Sequence, residues 1–178
     1  MKKSKKIRKS CSGFTVVELC VVIAIIAILG AIAVPGFAVW LPNHRLKSAT
    51  SVLYSNMQLA KLEAVKHNAN VVMWFDAAND NYRAFLDNGD GAGTAGDNVQ
   101  NGSERTLIDI TLEDDIDMYS TVFSVWSNQT VFNSRGFAEG GWGYVYIKNN
   151  QNKYMRITLW TNGFLQIESS TDGSTWSS

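Results

Sequence analysis

The amino-acid sequence predicts an α+β fold in which a long N-terminal helix, membrane-embedded in its first half, packs on antiparallel β-sheets. Three observations support this fold class. The first part of the chain is an uncharged apolar run, the next part repeats apolar residues at helical spacing, and the rest consists of short β-rich segments separated by turns. The predicted divisions are a leader at 1–13, a transmembrane helix at 14–42 and an exported globular domain at 43–178.

The apolar run is long enough to cross a bilayer. No residue from Leu19 to Leu41 is charged, and about 20 apolar residues suffice for an α-helix to span the hydrocarbon core. Pro35, late in the run, is expected to bend or loosen the helix where it leaves the membrane. The six Lys and Arg residues of the leader predict a cytoplasmic N-terminus and an exported C-terminal domain.

Glu18 is an unusual residue in this position. A carboxylate inside a membrane costs about 3 kcal/mol or more unless it is paired, so an intramembrane acid indicates a function. If the chain is cut after Gly13, Phe14 becomes the first residue and carries a free α-amino group one helical turn from Glu18. In an assembly, the amine of a neighbouring copy would then be available as the counter-ion.

The stretch from Gly13 to Leu19, GFTVVEL, with its basic leader and the apolar helix containing Pro35, resembles the class III signal of type IV pilins and type II secretion pseudopilins. The resemblance implies that a prepilin peptidase cleaves after Gly13 and N-methylates Phe14. It implies that Glu18 aligns each subunit against the N-terminus of its neighbour. The implied partners are other pilins or pseudopilins, the peptidase and the inner membrane.

Three other interpretations of the same stretch stay open. In an ordinary secretory signal peptide, Ala31-Ile32-Ala33 would be the small-x-small cleavage site and the mature chain would start at Val34. A plain signal anchor would carry Glu18 incidentally. A soluble core helix fits poorly with the leader and with the length of the run.

Charge and cysteine content restrict the exported domain. The chain has 16 basic and 16 acidic residues; without the leader 10 basic and 16 acidic ones remain, a formal side-chain charge of −6. An acidic domain is a poor general ligand for DNA, so no nucleic-acid partner is expected. Both cysteines, Cys11 and Cys20, precede the domain, which must therefore be stabilised by its apolar core rather than by disulfides.

The segment 43–68 predicts an amphipathic helix that continues the membrane helix after a break near Pro42. Its last part, from Leu59 to Val65 and then Asn68, is similar to the GspH/FimT family, which usually has an arginine where Lys61 stands. Its apolar stripe is expected to pack on a sheet, and consists of Leu46, Ala49, Leu53, Met57, Ala60 and Ala64.

The remaining segments predict strands and hairpins. Asn162-Gly163 is the strongest hairpin signal, and the series from Phe132 onwards also resembles the GspH/FimT family. DNA-binding members end in a Gly-Arg-x-Arg type motif, where this chain has GFLQ at 163–166. The polar tail at 169–178 is expected to be loose, and Trp176 is unexplained. The predicted strands are 71–75, 82–86, 105–112, 122–126, 130–132, 142–148, 153–161 and 164–168.

The Gly/Asp/Asn-rich segment 87–103 is interpreted as a mobile, solvated loop. Asp87, Asp90 and Asp97 are weak calcium candidates, because carboxylates are hard oxygen ligands but the EF-hand spacing is absent. His44 and His67 are too far apart on one helix for a shared metal site. No nucleophile elbow, phosphate loop or Cys/His cluster is present in the sequence, so no cofactor and no enzymatic activity are expected.

Aromatic residues accumulate in the C-terminal hairpins. They are interpreted as core and sheet-surface packing, with a binding platform as the alternative. They are Trp142, Tyr144, Tyr146, Tyr154 and Trp160.

The expected function is that of a minor pseudopilin of a type II protein secretion system. Such a protein would be a single-pass protein of the bacterial inner membrane with a periplasmic C-terminal domain. The alternatives are a minor type IV pilin acting in adhesion, motility or DNA uptake, and a membrane-tethered ligand-binding module that does not polymerise.

Overall fold

The computed structural model describes residues 14–178, which form one helix and eight strands and divide after Ala38 into two units. The single helix, α1, comprises Val16–His67. The strands are β1 Asn70–Asp76, β2 Asn81–Asp87, β3 Thr106–Thr111, β4 Ile116–Phe123, β5 Gln129–Phe132, β6 Gly143–Asn149, β7 Tyr154–Leu159 and β8 Leu165–Ser170.

The first unit contains the apolar part of α1. The segment Val16–Val34 is long and apolar enough to cross a membrane, and none of it is buried. The helical conformation continues through Pro35, and the expected local bend there stays a prediction.

In the second unit the helix runs through Pro42 to His67, so the predicted break near Pro42 is wrong. Proline lacks the N–H that would continue the hydrogen-bond ladder. In the same turn the Asn43 side chain donates from Nδ2 to the carbonyl oxygen of Val39 over 2.9 Å. The helix ends where Asn68 adopts a left-handed conformation with φ 49°, a common way to terminate a helix.

The strands form two four-stranded antiparallel sheets, in the orders β3-β2-β1-β5 and β4-β6-β7-β8. The predicted hairpins β1/β2, β6/β7 and β7/β8 are confirmed. Strand β4 begins at Ile116, earlier than predicted. A shift in register between Asp117 and Ser120 interrupts the alternation from which a strand is recognised.

The helix and both sheets share one hydrophobic core. The predicted stripe is confirmed: Leu53, Met57, Ala60 and Ala64 are fully buried, and Leu46 is nearly so. Inward-facing residues from both sheets complete this core, among them Met73, Phe75, Tyr82, Met118, Ile147, Ile157 and Leu165.

The C-terminal tail is held against β8, so the expectation of a loose tail is wrong. Ser169 and Ser177 exchange two backbone hydrogen bonds, of 2.8 and 3.0 Å. The turn between them is closed by Asp172, whose carboxylate accepts from the backbone N–H groups of Ser174 and Thr175. These N–H donors hold the pKa of Asp172 well below its usual range. The same turn places the Trp176 ring 5.5 Å from that of Tyr146.

Candidate assembly site

The start of α1 is capped by Thr15. Its Oγ1 accepts a hydrogen bond of 3.2 Å from the backbone N–H of Glu18, and its carbonyl oxygen accepts one of 3.1 Å from Leu19. Thr-x-x-Glu is the sequence signature of a capping box, a local signal that marks the start of this helix in addition to the apolar run. Thr15 and Glu18 therefore help to begin the helix, and an acid in the first turn is also favoured by the helix dipole.

Glu18 and Phe14 are both exposed in this chain, Phe14 by 76%. Glu18 lies within the segment that is apolar enough to span a membrane. Gly13, the predicted cleavage position, lies outside the described residues together with the leader. Cleavage after Gly13, methylation of Phe14 and pairing of Glu18 consequently stay predictions.

The apolar half of the helix exposes an unusual number of large hydrophobic side chains. Exposed apolar surface of this extent marks contact with a membrane or with partner proteins. The segment is therefore suited to lie in lipid or among other helices. Residues exposed by more than half include Val16, Val17, Ile23, Ile26, Ile28, Leu29, Ile32 and Val34.

The three calcium candidates do not form a common site. Asp87 is nearly fully buried, and its two carboxylate oxygens accept from the backbone N–H groups of Gly96 and Asn98 over 2.6 and 2.8 Å. Burial raises the pKa of Asp87 and outweighs the opposite effect of these two hydrogen bonds. Its oxygens thus already stabilise the loop backbone.

Asp90 and Asp97 serve local contacts within the same loop. Asp90 accepts from the Asn88 side chain over 2.9 Å, and Asp97 accepts from the N–H of Val99 and from the Asn101 side chain. Within residues 14–178 there is no group of three His, Cys, Asp or Glu side chains arranged to hold a metal ion.

Glu104 closes the other end of this loop, a role that no motif in the sequence indicates. Its two carboxylate oxygens accept from the backbone N–H groups of Gly89 and Asn101, each over 3.0 Å. Asp87 and Glu104 together hold the loop 88–103 by four hydrogen bonds to its backbone. The loop is otherwise exposed or half-buried, as expected of a solvated segment, and its mobility stays a prediction.

Lys61 joins the helix to two turns of the sheets. Its Nζ donates to the carbonyl oxygen of Gly163 over 3.0 Å, and its Cε lies beside Gly136. Both glycines have a positive φ, and Gly163 lies directly against the carbonyl oxygen of Gly136. This position, noted as a departure from the usual arginine, therefore holds the three segments together.

The aromatic residues of the C-terminal hairpins form a row on the outer face of the second sheet. The rings of Trp142 and Tyr144 are 5.5 Å apart, and those of Tyr144 and Tyr146 5.7 Å. The Arg156 guanidinium lies between Tyr144 and Trp176, at 4.7 and 4.5 Å from their ring centroids. The packing interpretation is thus confirmed for the middle of the row.

One end of this row opens into a cleft of about 300 Å³, here called the tryptophan cleft. Trp142 and Trp160, which flank it, are 47% and 49% exposed. The cleft is lined by Trp142, Tyr144, Thr158, Leu159, Trp160 and Thr161.

The two histidines have local partners. The rings of His44 and Trp40 are 4.9 Å apart. His67 Nε2 lies 3.2 Å from a Glu63 carboxylate oxygen, and Glu63 also contacts Lys66 and Arg105. The hydrogen bond from Lys66 is the main reason why the pKa of Glu63 is lowered. Neither histidine stands in an arrangement typical of catalysis.

A long N-terminal helix, apolar and exposed in its first part and followed by antiparallel sheets, defines the fold of the type IV pilin-like proteins. The chain belongs to the family described as "Type II transport protein GspH", whose profile matches residues 49–163. A second profile, "Prokaryotic N-terminal methylation motif", matches residues 8–34. The resemblance stated from the sequence is thereby confirmed, and the family is one of structural pseudopilins.

Solved structures with the same fold come from both pilus and secretion systems. The minor pseudopilin EpsH from the type 2 secretion system of Vibrio cholerae is 16% identical, with a TM-score of 0.54, over 70% of this chain and 97% of that one. The type IV minor pilin FimU of Pseudomonas aeruginosa is 13% identical, with a TM-score of 0.53, over 78% and 96%. No curated protein sequence matches the chain.

Proposed function

We propose that this chain is a minor pseudopilin of a type II protein secretion system, a structural subunit without enzymatic activity or cofactor. It is inserted once in the bacterial inner membrane, with its leader in the cytoplasm and its sheets in the periplasm. A prepilin peptidase removes residues 1–13 and methylates Phe14. The helix then enters a short filament with other pseudopilins, and no nucleic acid is bound.

The observation that carries this proposal is the exposed apolar helix that begins at a methylation motif. Its segment Val16–Val34 has no buried residue in the chain itself, and the motif covers residues 8–34. A membrane covers such a surface before assembly, and neighbouring helices cover it in a filament. Membership of the GspH family supports the secretion role.

Glu18 would then provide register between subunits. A carboxylate transferred into an apolar helix bundle is unfavourable by about 3 kcal/mol or more unless it is paired. Removing the leader creates one α-amino group per subunit, at Phe14. Pairing that amine with the Glu18 carboxylate of a neighbour offsets the desolvation of both charges only at one axial offset, because the attraction falls with distance.

A second candidate is a minor type IV pilin. It is favoured by the similarity to FimU, which extends over 78% of this chain. The two functions share the helix, the processing and the role of Glu18, and differ in the machine that the subunit enters.

Mass spectrometry of the protein purified from its own membranes tests the processing step. A mature chain that begins at N-methyl-Phe14 is expected. A chain that begins at Val34 would indicate simple secretion, and a chain that retains residues 1–13 would indicate a plain signal anchor. Either result would refute the proposal.

Substitution of Glu18 tests the assembly step. Glu18→Ala and Glu18→Gln should be processed normally but enter the filament at least about tenfold less efficiently, the effect of losing about 1.4 kcal/mol per contact. Glu18→Asp keeps the charge and should retain part of the assembly. Glu113→Gln, an exposed acid outside the helix, is the matched control, and normal incorporation of Glu18→Gln would refute the role.

Deletion of the gene distinguishes the two systems. We expect exported proteins to remain in the periplasm while pilus-dependent motility is unchanged, and we expect the intact gene to restore export. Loss of motility with normal export would instead identify a minor type IV pilin.

A further inference from the structure

The tryptophan cleft is formed by cross-strand neighbours at one end of the β6/β7 hairpin. Tyr144 pairs with Thr158 and Gly143 with Leu159, so Trp142 and Trp160 follow as the next opposed pair. Large aromatic residues in such a position normally pack against each other. Here both indoles are about half exposed, and a cleft of about 300 Å³ lies between them.

The rim of the cleft carries polar groups that have no hydrogen-bond partner within the described part of the chain. Among the contacts of residues 14–178, the indole N–H groups of Trp142 and Trp160 and the hydroxyls of Tyr144 and Thr161 make no hydrogen bond. Each of these groups can donate, and the two hydroxyls can also accept. The cleft thus combines flat apolar faces with several hydrogen-bonding groups, as small-ligand sites do.

The charge of the lining residues favours a neutral ligand for this site. The six lining residues carry no charge. The nearest ion pair, Arg156–Glu168, is closed upon itself by a 2.7 Å hydrogen bond from Arg156 Nε, and Glu168 also accepts from Thr158. The carboxylate of Glu168 is thus already paired with Arg156 and Thr158, and the uncharged lining of the cleft favours a neutral ligand.

We propose that the tryptophan cleft binds a neutral glycan, one hexose ring at a time. A hexose has an apolar face of C–H groups, which matches the faces of the two indoles, and a rim of hydroxyls, which matches the free polar groups of the cleft. A cleft of about 300 Å³ is at the lower end of the usual range for ligand sites, which suits a single ring. This binding is independent of the filament role proposed above.

The test measures glycan binding to the full chain in phosphatidylcholine nanodiscs, since detergents with sugar headgroups would compete for the cleft. The quenching of tryptophan fluorescence and calorimetry are followed during titration with neutral β-1,4- and α-1,4-linked glucose hexasaccharides up to about 10 mM, a range that includes weak binding. Polygalacturonate and an unstructured neutral peptide are the comparison probes.

We expect saturable binding of at least one neutral hexasaccharide, and no tighter binding of the acidic polymer or of the peptide. Trp142→Ala and Trp160→Ala should each weaken binding about tenfold, as expected when an aromatic anchor is removed. Trp160→Phe keeps a stacking face but lacks the indole N–H, and should lose about threefold. Phe137→Ala, which is 46% exposed and lies outside the cleft, is the control and should bind normally.

Absence of saturable binding of any neutral glycan to the wild-type protein would overturn the proposal. Binding that persists unchanged in both alanine variants would overturn it as well, as would binding of only the peptide. If an alanine variant does not fold, as judged by its circular dichroism, the Trp→Phe variants at both positions decide, because they keep an aromatic ring and perturb the packing less; unchanged binding in both of them would overturn the proposal. Loss of filament assembly has no bearing on this result, so failure of one proposal is distinguishable from failure of the other.

Discussion

Replacing Gly163 with alanine should destabilise the globular unit much more than the same change at Gly96. The two glycines have nearly the same backbone conformation, with φ 74° and 80°. Any L-residue there costs about 1 kcal/mol, because its Cβ approaches its own backbone. The surroundings differ: an added Cβ meets open space at Gly96 but overlaps the carbonyl oxygen of Gly136 at Gly163.

The magnitude follows from what the new methyl group must displace. At Gly96 only the conformational cost applies, about 1 kcal/mol. At Gly163 the obstacle is backbone, and forced overpacking adds about 1–3 kcal/mol, for a total of about 2–4 kcal/mol. Gly136→Ala is intermediate, since its Cβ would lie 3.0 Å from Lys61 Cε. That side chain can move, at the loss of its hydrogen bond to Gly163, worth about 1 kcal/mol.

The assay is urea unfolding of the full chain in nanodiscs, followed by the circular dichroism of the sheets. The midpoints should fall in the order wild type, Gly96→Ala, Gly136→Ala, Gly163→Ala, with similar slopes. Equal midpoints for Gly96→Ala and Gly163→Ala would refute the reasoning, because they would show that the two turns are not in backbone contact.

Three further predictions concern the same globular unit. Leu53→Ala, at a fully buried position, should lower the free energy of unfolding by about 2–5 kcal/mol. The control Leu62→Ala, at a 61% exposed position, should change it by about 0.5 kcal/mol or less. Similar urea midpoints for the two variants would contradict the assignment of Leu53 to the core. The hydrogen bond from Arg156 lowers the pKa of Glu168 from its ordinary value of 4.5, so the stabilisation by this pair is complete above pH 4.5 and is lost as the pH falls through the lowered pKa. The difference in urea midpoint between wild type and Glu168→Gln should therefore shrink as the pH falls below 4.5. A difference that does not change with pH would argue against the pair. Millimolar calcium should leave the melting temperature unchanged, because Asp87 already satisfies backbone N–H groups; an increase that disappears in Asp90→Asn or Asp97→Asn would restore the calcium hypothesis.

Much of the fold was predictable because the informative patterns are local. The spacing of Leu46, Leu53 and Met57 puts them on one helical face whatever lies opposite, and all three are buried. Asn162-Gly163 specifies a tight turn through its own backbone preferences, and β7 and β8 pair on either side of it. The family resemblance rested on equally local motifs at both ends of the chain.

The structure departs from the predictions where individual side chains or backbone groups pair without a repeating pattern. Helix α1 continues through Pro42, although a proline removes one bond of the helical ladder. The hydrogen bonds by which Asp87 and Glu104 hold the loop at 88–103 were not predicted, and their backbone partners are separated from them by up to 15 residues. None of these pairings has a periodicity that could be recognised in the sequence.

The sequence by itself determined the apolar anchor segment of this protein, because the length and composition of the uncharged run suffice to recognise it and the methylation motif is local. Only the tertiary structure decided which side chains the globular unit exposes, which it buries and which contact each other. The exposure of Trp142 and Trp160, the burial of Asp87 and the contact of Lys61 with Gly163 all depend on strand register. Register is set by the packing of the whole core, and a change of one residue would reverse the face of every side chain in a strand.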